Sequence, residues 1–145
     1  MLLASILKHK GTSVITVAPG TPIPDVLATL RRHRIGAVLV MDEERCPRGI
    51  LSERDIVYAL AERGAAVLDE TAEALMTPDP ATAHPETSVV EAMQMMTDGR
   101  FRHIPVTDGE GRVIGLVSIG DVVKARLAET EQEMGSLMAY VAGAV

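Results

Sequence analysis

Two short segments carry glycine, serine and aspartate at the same potentially functional spacing. Residues 49–55 read GILSERD and residues 115–121 read GLVSIGD, so Gly-x-x-Ser-x-x-Asp occurs twice, sixty-six residues apart. A serine followed three residues later by a carboxylate is typical of a helix N-terminus, because each side chain satisfies a free backbone N–H. The same groups suit a ligand, since a helix N-terminus attracts anions and a carboxylate fits the paired hydroxyls of a ribose. The glycine would let a ligand approach the backbone closely.

The motif is part of a longer internal repeat. Residues 12–59 align with residues 78–125 without a gap and share twelve identities in 48 positions, where ordinary residue frequencies predict about three. The identical pairs are Thr16/Thr82, Pro19/Pro85, Thr21/Thr87, Arg34/Arg100, Val40/Val106, Asp42/Asp108, Glu44/Glu110, Gly49/Gly115, Ser52/Ser118, Asp55/Asp121, Val57/Val123 and Ala59/Ala125. The chain is therefore an internal duplication.

Composition and charge argue against several functional classes. The 145-residue chain has a net charge of −6 at pH 7, which disfavours binding to nucleic acid phosphates. Two Tyr, one Phe and no Trp offer no platform for base stacking. The single cysteine, Cys46, excludes an internal disulfide and a cysteine-rich metal site. No apolar run approaches the ~20 residues of a membrane span, and residues 1–11 lack signal-peptide features, so we expect no membrane association and a cytoplasmic location.

Apolar periodicity and turn residues predict the same element order, β-α-β-β-α, in both halves. The predicted strands cover residues 13–17, 36–41 and 48–52, then 81–83, 103–107 and 113–118, and the predicted closing helices cover residues 53–64 and 120–143. One unit of about 50 residues would leave a helix face exposed. We therefore expect an α+β fold in which two repeats, related by a pseudo-twofold axis, pack small sheets through their helices.

The domain organisation follows from this element order. The expected boundaries are residues 8–64 for the first repeat, 65–77 for a linker with a short helix, 78–130 for the second repeat and 131–145 for a C-terminal helical extension.

The doubled motif, with RIGAVLV at residues 34–40 and RFRHIPV at residues 100–106, resembles the tandem cystathionine-β-synthase (CBS) domain pair. The resemblance spans about residues 5–130 and is to the stand-alone type, which has no attached catalytic domain. It implies a regulatory module that binds an adenine nucleotide between its repeats, such as AMP, ADP, ATP or a dinucleotide like NAD. The module would report energy or redox state to a regulated protein that the sequence does not identify.

The resemblance also implies two sets of binding residues. In the family the aspartate binds ribose, the serine assists with ribose or phosphate, and adenine lies against the other repeat. The first site would comprise Ser52, Arg54, Asp55, Thr82, Phe101, Arg102, His103 and Pro105. The second would comprise Ser118, Gly120, Asp121, Ile15, Thr16, Ile35, Gly36 and Ala37.

These two implied sites differ in charge. Arg54 precedes Asp55, whereas Gly120 precedes Asp121. The segment FRHIP, which faces the first site, carries cations where the corresponding IGAVL is apolar. We therefore expect the first site to favour phosphate and the second to favour adenosine, with no comparable cation facing Asp121. The alternative is that the arginines are simply solvated side chains.

No catalytic or metal-binding constellation is evident. The four histidines lack metal-ligand spacing, and no Ser/His/Asp or Cys/His set is present. We expect no enzyme activity and no catalytic cofactor. Two classes of function remain, a nucleotide-sensing module and a structural dimerisation module with vestigial pockets, and the aspartate in both copies favours sensing. Homodimerisation is expected through apolar residues of the last helix, namely Met134, Leu137, Met138, Tyr140 and Val141.

Overall fold

A β-hairpin forms the centre of each half of the chain. The computed structural model describes residues 1–143, so the last two residues of the predicted extension lie outside the described residues. The strands are β1 (Thr16–Val17), β2 (Ala37–Met41), β3 (Pro47–Ser52), β4 (Thr77–Pro78), β5 (His103–Thr107) and β6 (Val113–Ser118). The helices are α1 (Leu3–Lys10), α2 (Ile23–His33), α3 (Glu53–Arg63), α4 (Ala72–Leu75), α5 (Val89–Gly99) and α6 (Ile119–Val141), with a 3₁₀ helix at Gly64–Asp69.

The two hairpins have the same register. Val38 of β2 lies opposite Leu51 of β3, and Ile104 of β5 lies opposite Val117 of β6. In the first half β1 pairs in parallel with β2, and β4 pairs antiparallel with β3, which produces the order β1-β2-β3-β4. The α+β fold built from two related halves is thus confirmed.

The outer strands are shorter than the sequence predicts. Only Thr16–Val17 of the predicted strand 13–17 pairs with β2. In the second half, predicted strand 81–83 is reduced to one parallel bridge between Ala83 and Val106. Pro80 and Pro85 flank this bridge, and a proline has no N–H with which to extend a ladder.

Each hairpin leads directly into a capped helix. Ser52 Oγ accepts a hydrogen bond from Asp55 N at 3.2 Å, and Asp55 Oδ2 accepts one from Ser52 N at 2.9 Å. Ser118 and Asp121 form the same pair of bonds at the same distances. The capping interpretation of the motif is confirmed in both copies, as are the predicted closing helices, which are α3 and α6.

Each half has its own apolar core. The first core contains Ile23, Val26, Leu30, Val38, Val40, Leu51, Ile56 and Ala72. The second contains Val89, Ala92, Met96, Ile104, Val106, Val117, Val122 and Ala125 together with Ala83 and three residues of α1, which are Leu3, Ile6 and Leu7. Helix α1, which the sequence analysis does not predict, therefore packs in the second core although it precedes the first repeat in the chain.

Helix α4 has the equivalent position in the first half. The backbone N–H of Ala72 donates to Thr21 O at 2.8 Å, and the N–H of Leu3 donates to Thr87 O at 2.9 Å. Thr21 and Thr87 are an identical pair of the repeat. Each half is thus completed by a short helix docked in the same way, and the helix expected in the linker 65–77 is confirmed as α4.

The glycine of each motif lies where this helix docks. A Cβ atom at Gly49 would lie 2.5 Å from Met76 Sδ and 2.8 Å from the carbonyl oxygen of Thr77. A Cβ atom at Gly115 would clash with the side chain of Leu7. The expectation that these glycines admit a ligand is therefore wrong, because protein atoms occupy the space in front of them.

Replacement of Gly49 tests this packing. The Thr77 carbonyl is backbone and cannot rotate away, so we expect Gly49→Ala to lower the free energy of unfolding by about 1–3 kcal/mol. Gly20→Ala is the matched control, because no atom lies within 4 Å of its Cβ position, and its effect should stay within about 0.5 kcal/mol. Denaturant unfolding measures both variants. Equal stability of the two would contradict the packing role.

Candidate functional site

A cleft of about 590 Å³ lies between the two halves at the start of α3. Four segments line it: Gly36 just before β2, the end of β3 with the first turns of α3, the chain around β4, and the end of α5 with the α5–β5 connection. The lining residues are Gly36, Ile50, Ser52, Glu53, Arg54, Asp55, Val57, Tyr58, Thr77, Asp79, Pro80, Ala81, Gly99, Arg100, Phe101, Arg102 and His103. The cleft therefore joins the Ser-x-x-Asp motif of the first repeat to residues of the second.

Asp55 has a carboxylate oxygen that capping leaves free. Its Oδ2 accepts hydrogen bonds from Ser52 N at 2.9 Å and Ser52 Oγ at 3.0 Å. Within residues 1–143, no hydrogen bond engages Oδ1 of Asp55. The cap thus fixes the carboxylate in place while one oxygen remains available to a hydroxyl donor.

Three arginines line the same cleft. Arg54 lies in the first turn of α3, and Arg100 and Arg102 lie in the α5–β5 connection. Arg100 is the C-cap of α5 and has a left-handed backbone with φ of 56°, which turns the chain along the cleft. In the described part of the chain, none of these three guanidinium groups forms a salt bridge with a carboxylate. The cleft also holds the carboxylates of Glu53, Asp55 and Asp79, but guanidinium groups that form no salt bridge with them are suited to an anionic ligand.

His103 lies half-buried between the two motifs. Burial lowers the pKa of its imidazole, and the positive charges of Lys10 and Arg102 lower it further, against the opposing effects of Asp121 and Glu53. The ring is therefore neutral at pH 7, so it contributes hydrogen-bonding atoms to the cleft but not the cation that the sequence analysis expects.

The structure brings together most of the first predicted set. Ser52, Arg54, Asp55, Phe101, Arg102 and His103 all line the cleft. Thr82 is exposed but lies just beyond the lining residue Ala81, and Pro105 is buried in β5. Gly36, which the sequence analysis assigns to the second set, also lines this cleft.

Sequence reasoning misses the apolar wall of the cleft. Val57 and Tyr58 are 57% and 60% exposed and lie on α3 close to Asp55, and Pro80 and Ala81 lie on the chain that follows β4. Tyr58 could have been predicted as part of the cleft, because it follows Asp55 by three residues and residues three apart share a helix face. The residues at 79–81 carry no comparable signal in the sequence.

The motif of the second repeat has a different environment. Lys10 Nζ lies 2.5 Å from Asp121 Oδ2 and donates to the carbonyl oxygen of Leu116 at 2.8 Å. Burial would raise the pKa of Asp121, but hydrogen bonds from Lys10 and Ser118 outweigh it and hold this pKa below its usual value. The expectation that no cation faces Asp121 is therefore wrong. The lysine belongs to α1, outside the aligned repeat.

The remaining residues of the second predicted set are distributed over several places. Thr16 lines a surface hollow with residues 12–14 and Met41, whereas Ile35 and Gly36 line another hollow with Leu27. Ala37 is buried in β2, and Ile15 is partly buried against the first core. Neither hollow includes Ser118, Gly120 or Asp121, which lie together at the start of α6.

Residues 1–143, the part of the chain that the structure describes, contain neither a metal-binding cluster nor a membrane-spanning helix. No group of histidine, cysteine or acidic side chains there is arranged to hold a metal ion. No helix in that part of the chain has the length and apolar character needed to cross a membrane.

Comparison with solved structures relates this arrangement to known folds. A CBS-domain-containing protein from Agrobacterium tumefaciens superposes with a TM-score of 0.84 at 42% identity, over 87% of this chain and 99% of that one. A CBS domain pair solved with 5′-methylthioadenosine and S-adenosyl-L-methionine has a TM-score of 0.78 at 27% identity, covering 89% and 98%. A CBS domain protein from Pyrobaculum aerophilum complexed with AMP has a TM-score of 0.74 at 25% identity, covering 83% and 89%.

The family model of the CBS domain matches the chain twice, at residues 10–62 and 72–128. These two segments correspond to the halves that the internal repeat defines and together cover most of the chain. The resemblance inferred from the doubled motif is thereby confirmed, and the chain belongs to the CBS domain family, with two copies of the domain.

Proposed function

We propose that this CBS pair is a non-catalytic regulatory module that binds an adenine nucleotide in the cleft at Asp55. The observation that carries the proposal is the coincidence in one cleft of a fixed carboxylate, unpaired arginines and an apolar wall. These are the three chemistries that a ribose, a phosphate and a base require. The AMP complex of the Pyrobaculum aerophilum relative supports the same ligand class.

Each part of the nucleotide has a counterpart in the cleft. The ribose hydroxyls would donate to Asp55, next to the α3 N-terminus. The phosphate would bind the guanidinium groups of Arg54, Arg100 and Arg102, all of which line the cleft. The base would lie against Tyr58 and the neighbouring apolar side chains, because aromatic faces stack on bases. ADP, ATP and NAD carry the same three parts and belong to the same candidate class.

The guanidinium groups of the cleft favour phosphorylated over cationic adenosine compounds. One neighbouring CBS pair was solved with S-adenosyl-L-methionine, which carries a positive sulfonium centre. Within residues 1–143 the three arginines form no salt bridge and would attract a phosphate, whereas the cleft's carboxylates, Glu53, Asp55 and Asp79, equal them in number. The preference for a phosphate therefore depends on the placement of the guanidinium groups and not on the net charge of the cleft. We therefore propose AMP or a related phosphorylated compound as the ligand, with occupancy reported to a regulated protein as a signal of energy or redox state.

A second candidate function is a structural dimerisation module. Met134, Leu137, Met138, Tyr140 and Val141 of α6 are between 56% and 76% exposed. A run of exposed apolar side chains on one helix indicates a protein interface. We propose a homodimer through this helix, which is compatible with nucleotide binding but does not require it.

Replacement of Asp55 tests the ribose contact. Hydrogen bonds to a charged group contribute about 1.5–3 kcal/mol, so Asp55→Ala should weaken AMP binding by about 10- to 150-fold in calorimetric titration. Ser88→Ala is the matched control, because it removes the cap of α5, where Ser88 Oγ accepts from Glu91 N at 3.0 Å outside the cleft. It should lower stability without changing affinity. Unchanged AMP binding by the Asp55 variant would contradict the proposal.

Replacement of Arg102 tests the phosphate contact. Charge-assisted hydrogen bonds to phosphate are lost in Arg102→Ala, so AMP affinity should fall by about 10-fold or more while adenosine affinity changes by less than about 3-fold. Arg32→Ala, on the exposed face of α2, is the control and should leave both affinities unchanged. An equal loss for AMP and adenosine would mean that Arg102 does not contact the phosphate.

The assembly proposal has its own test. Light scattering of the wild-type chain should yield the mass of a dimer, and Leu137→Glu should shift it towards the monomer because a carboxylate would then be buried in the interface. Gln132→Glu adds the same charge at an exposed position of α6 and should leave the mass unchanged. A monomeric wild type would exclude the dimer. A dimer that binds no adenine nucleotide would favour the structural function.

A further inference from the structure

The N-terminal helix places a cation on one of the two motif aspartates. Leu3, Ile6 and Leu7 anchor α1 in the second core, where they are at most 7% exposed. The last residue of this helix, Lys10, reaches Asp121 Oδ2 at 2.5 Å and the Leu116 carbonyl oxygen at 2.8 Å. The ammonium group therefore bonds both the motif carboxylate and a backbone acceptor of the preceding strand.

The equivalent helix of the first half leaves its aspartate free. Helix α4 docks on the first half as α1 docks on the second, but it has four residues where α1 has eight. After α4 the chain enters β4, and Met76 rather than a charged side chain packs against Gly49. Within the described residues no lysine or arginine forms a salt bridge with Asp55. The extra helical turn of α1 is the cause of the difference between the two motifs.

We infer that Lys10 blocks nucleotide binding at Asp121, so that the chain binds one adenine nucleotide, at Asp55, and keeps a second, latent site at Asp121. This inference rests on the function proposed above. Oδ2 of Asp121 accepts hydrogen bonds from Ser118 N and Lys10 Nζ, and within residues 1–143 its Oδ1 accepts none, as at Asp55. The two motifs therefore differ in the ammonium group beside the carboxylate and not in the number of free oxygens. A ribose hydroxyl would have to compete for the Asp121 carboxylate with an ammonium group that the packed helix α1 holds in place.

The magnitude of this competition follows from the contacts that a ligand must replace. An exposed ion pair alone has a small effect. Here, however, Lys10 and Asp121 are only 39% and 26% exposed, and the lysine also bonds a backbone carbonyl. Loss of hydrogen bonds to a charged group corresponds to about 10- to 150-fold in affinity. We therefore expect AMP to bind at Asp121 at least 10-fold more tightly when the Lys10 ammonium group is absent than when it is present.

Calorimetric titration with AMP in an Asp55→Ala background tests the inference. This background removes the first site, so Asp55→Ala alone should bind AMP at least 10-fold more weakly than Asp55→Ala/Lys10→Met. Methionine keeps the length of the lysine side chain without its charge. The matched control is Asp55→Ala/Lys8→Met, because Lys8 is exposed on the same helix and forms no salt bridge within residues 1–143. This control should bind no better than Asp55→Ala.

Single-variant stoichiometry provides a second measurement that does not need the Asp55 substitution. The wild type should bind one AMP per chain, and Lys10→Met should bind two. Two sites in the wild type, or a single site in Lys10→Met, would overturn the inference. Loss of AMP binding in Lys10→Met would also overturn it, because Lys10 would then be a ligand contact.

Failure of the proposed function has a different outcome. A wild type without AMP binding would refute the Asp55 site, whereas binding by the Asp55→Ala/Lys10→Met variant would still support the latent site. NMR titration of His103 reports the nearby charge of Lys10 without any ligand. Lys10 lowers the pKa of His103 and Asp121 raises it, so Lys10→Met should raise this pKa and Lys8→Met should not. An unchanged His103 pKa in Lys10→Met would mean that the Lys10 ammonium group does not lie beside His103 in solution, which would contradict the position on which the inference depends.

Discussion

The docking of a short helix against the motif glycine is the constraint on which the rest of this structure depends. The hairpin and two helices of each half do not complete its apolar core, so each half takes in a third, short helix, which is α4 in the first half and α1 in the second. That helix approaches Gly115 through Leu7 in one half and Gly49 through Met76 in the other. Because the motif glycine has no side chain, the docked helix lies directly beside the Ser-x-x-Asp cap. The chemistry of each motif is therefore influenced by whichever residues the docked helix carries.

Two copies of one motif consequently have different surroundings. Both aspartates accept the same capping hydrogen bond from the motif serine, at 2.9 Å. Asp55 then faces a cleft lined by arginines and an apolar wall, whereas Asp121 faces Lys10. The capping role thus does not conflict with a ligand role. The cap holds the carboxylate in a fixed position, and the neighbouring elements decide whether its remaining acceptor capacity is open to a ligand.

Most of the fold was predictable from the sequence, and so was half of the candidate site. The hairpins and closing helices follow from apolar patterns and turn residues within each repeat, which are local properties. Arg54 and Asp55 belong to the motif itself, and the family resemblance supplies Arg102 from the other repeat. Val57 and Tyr58 went unrecognised because a helical residue lines a cleft only when a second element faces it. The outer strand at 81–83 was predicted too long because prolines on both sides leave a single bridging residue.

The sequence by itself determined that the chain is a duplication and that each copy contains a hairpin followed by a capped helix. The hairpins and capped helices depend on residues within a few positions of one another, and the duplication depends on a comparison of residues 12–59 with residues 78–125. Only the tertiary structure decided that α1 completes the second half and not the first, and that Lys10 meets Asp121 across a separation of 111 residues. The reason is physical: α4 already covers the apolar surface of the first half, whereas the second half buries Leu3, Ile6 and Leu7 of α1. Its partner is chosen by which surface remains uncovered once α4 has docked on the first.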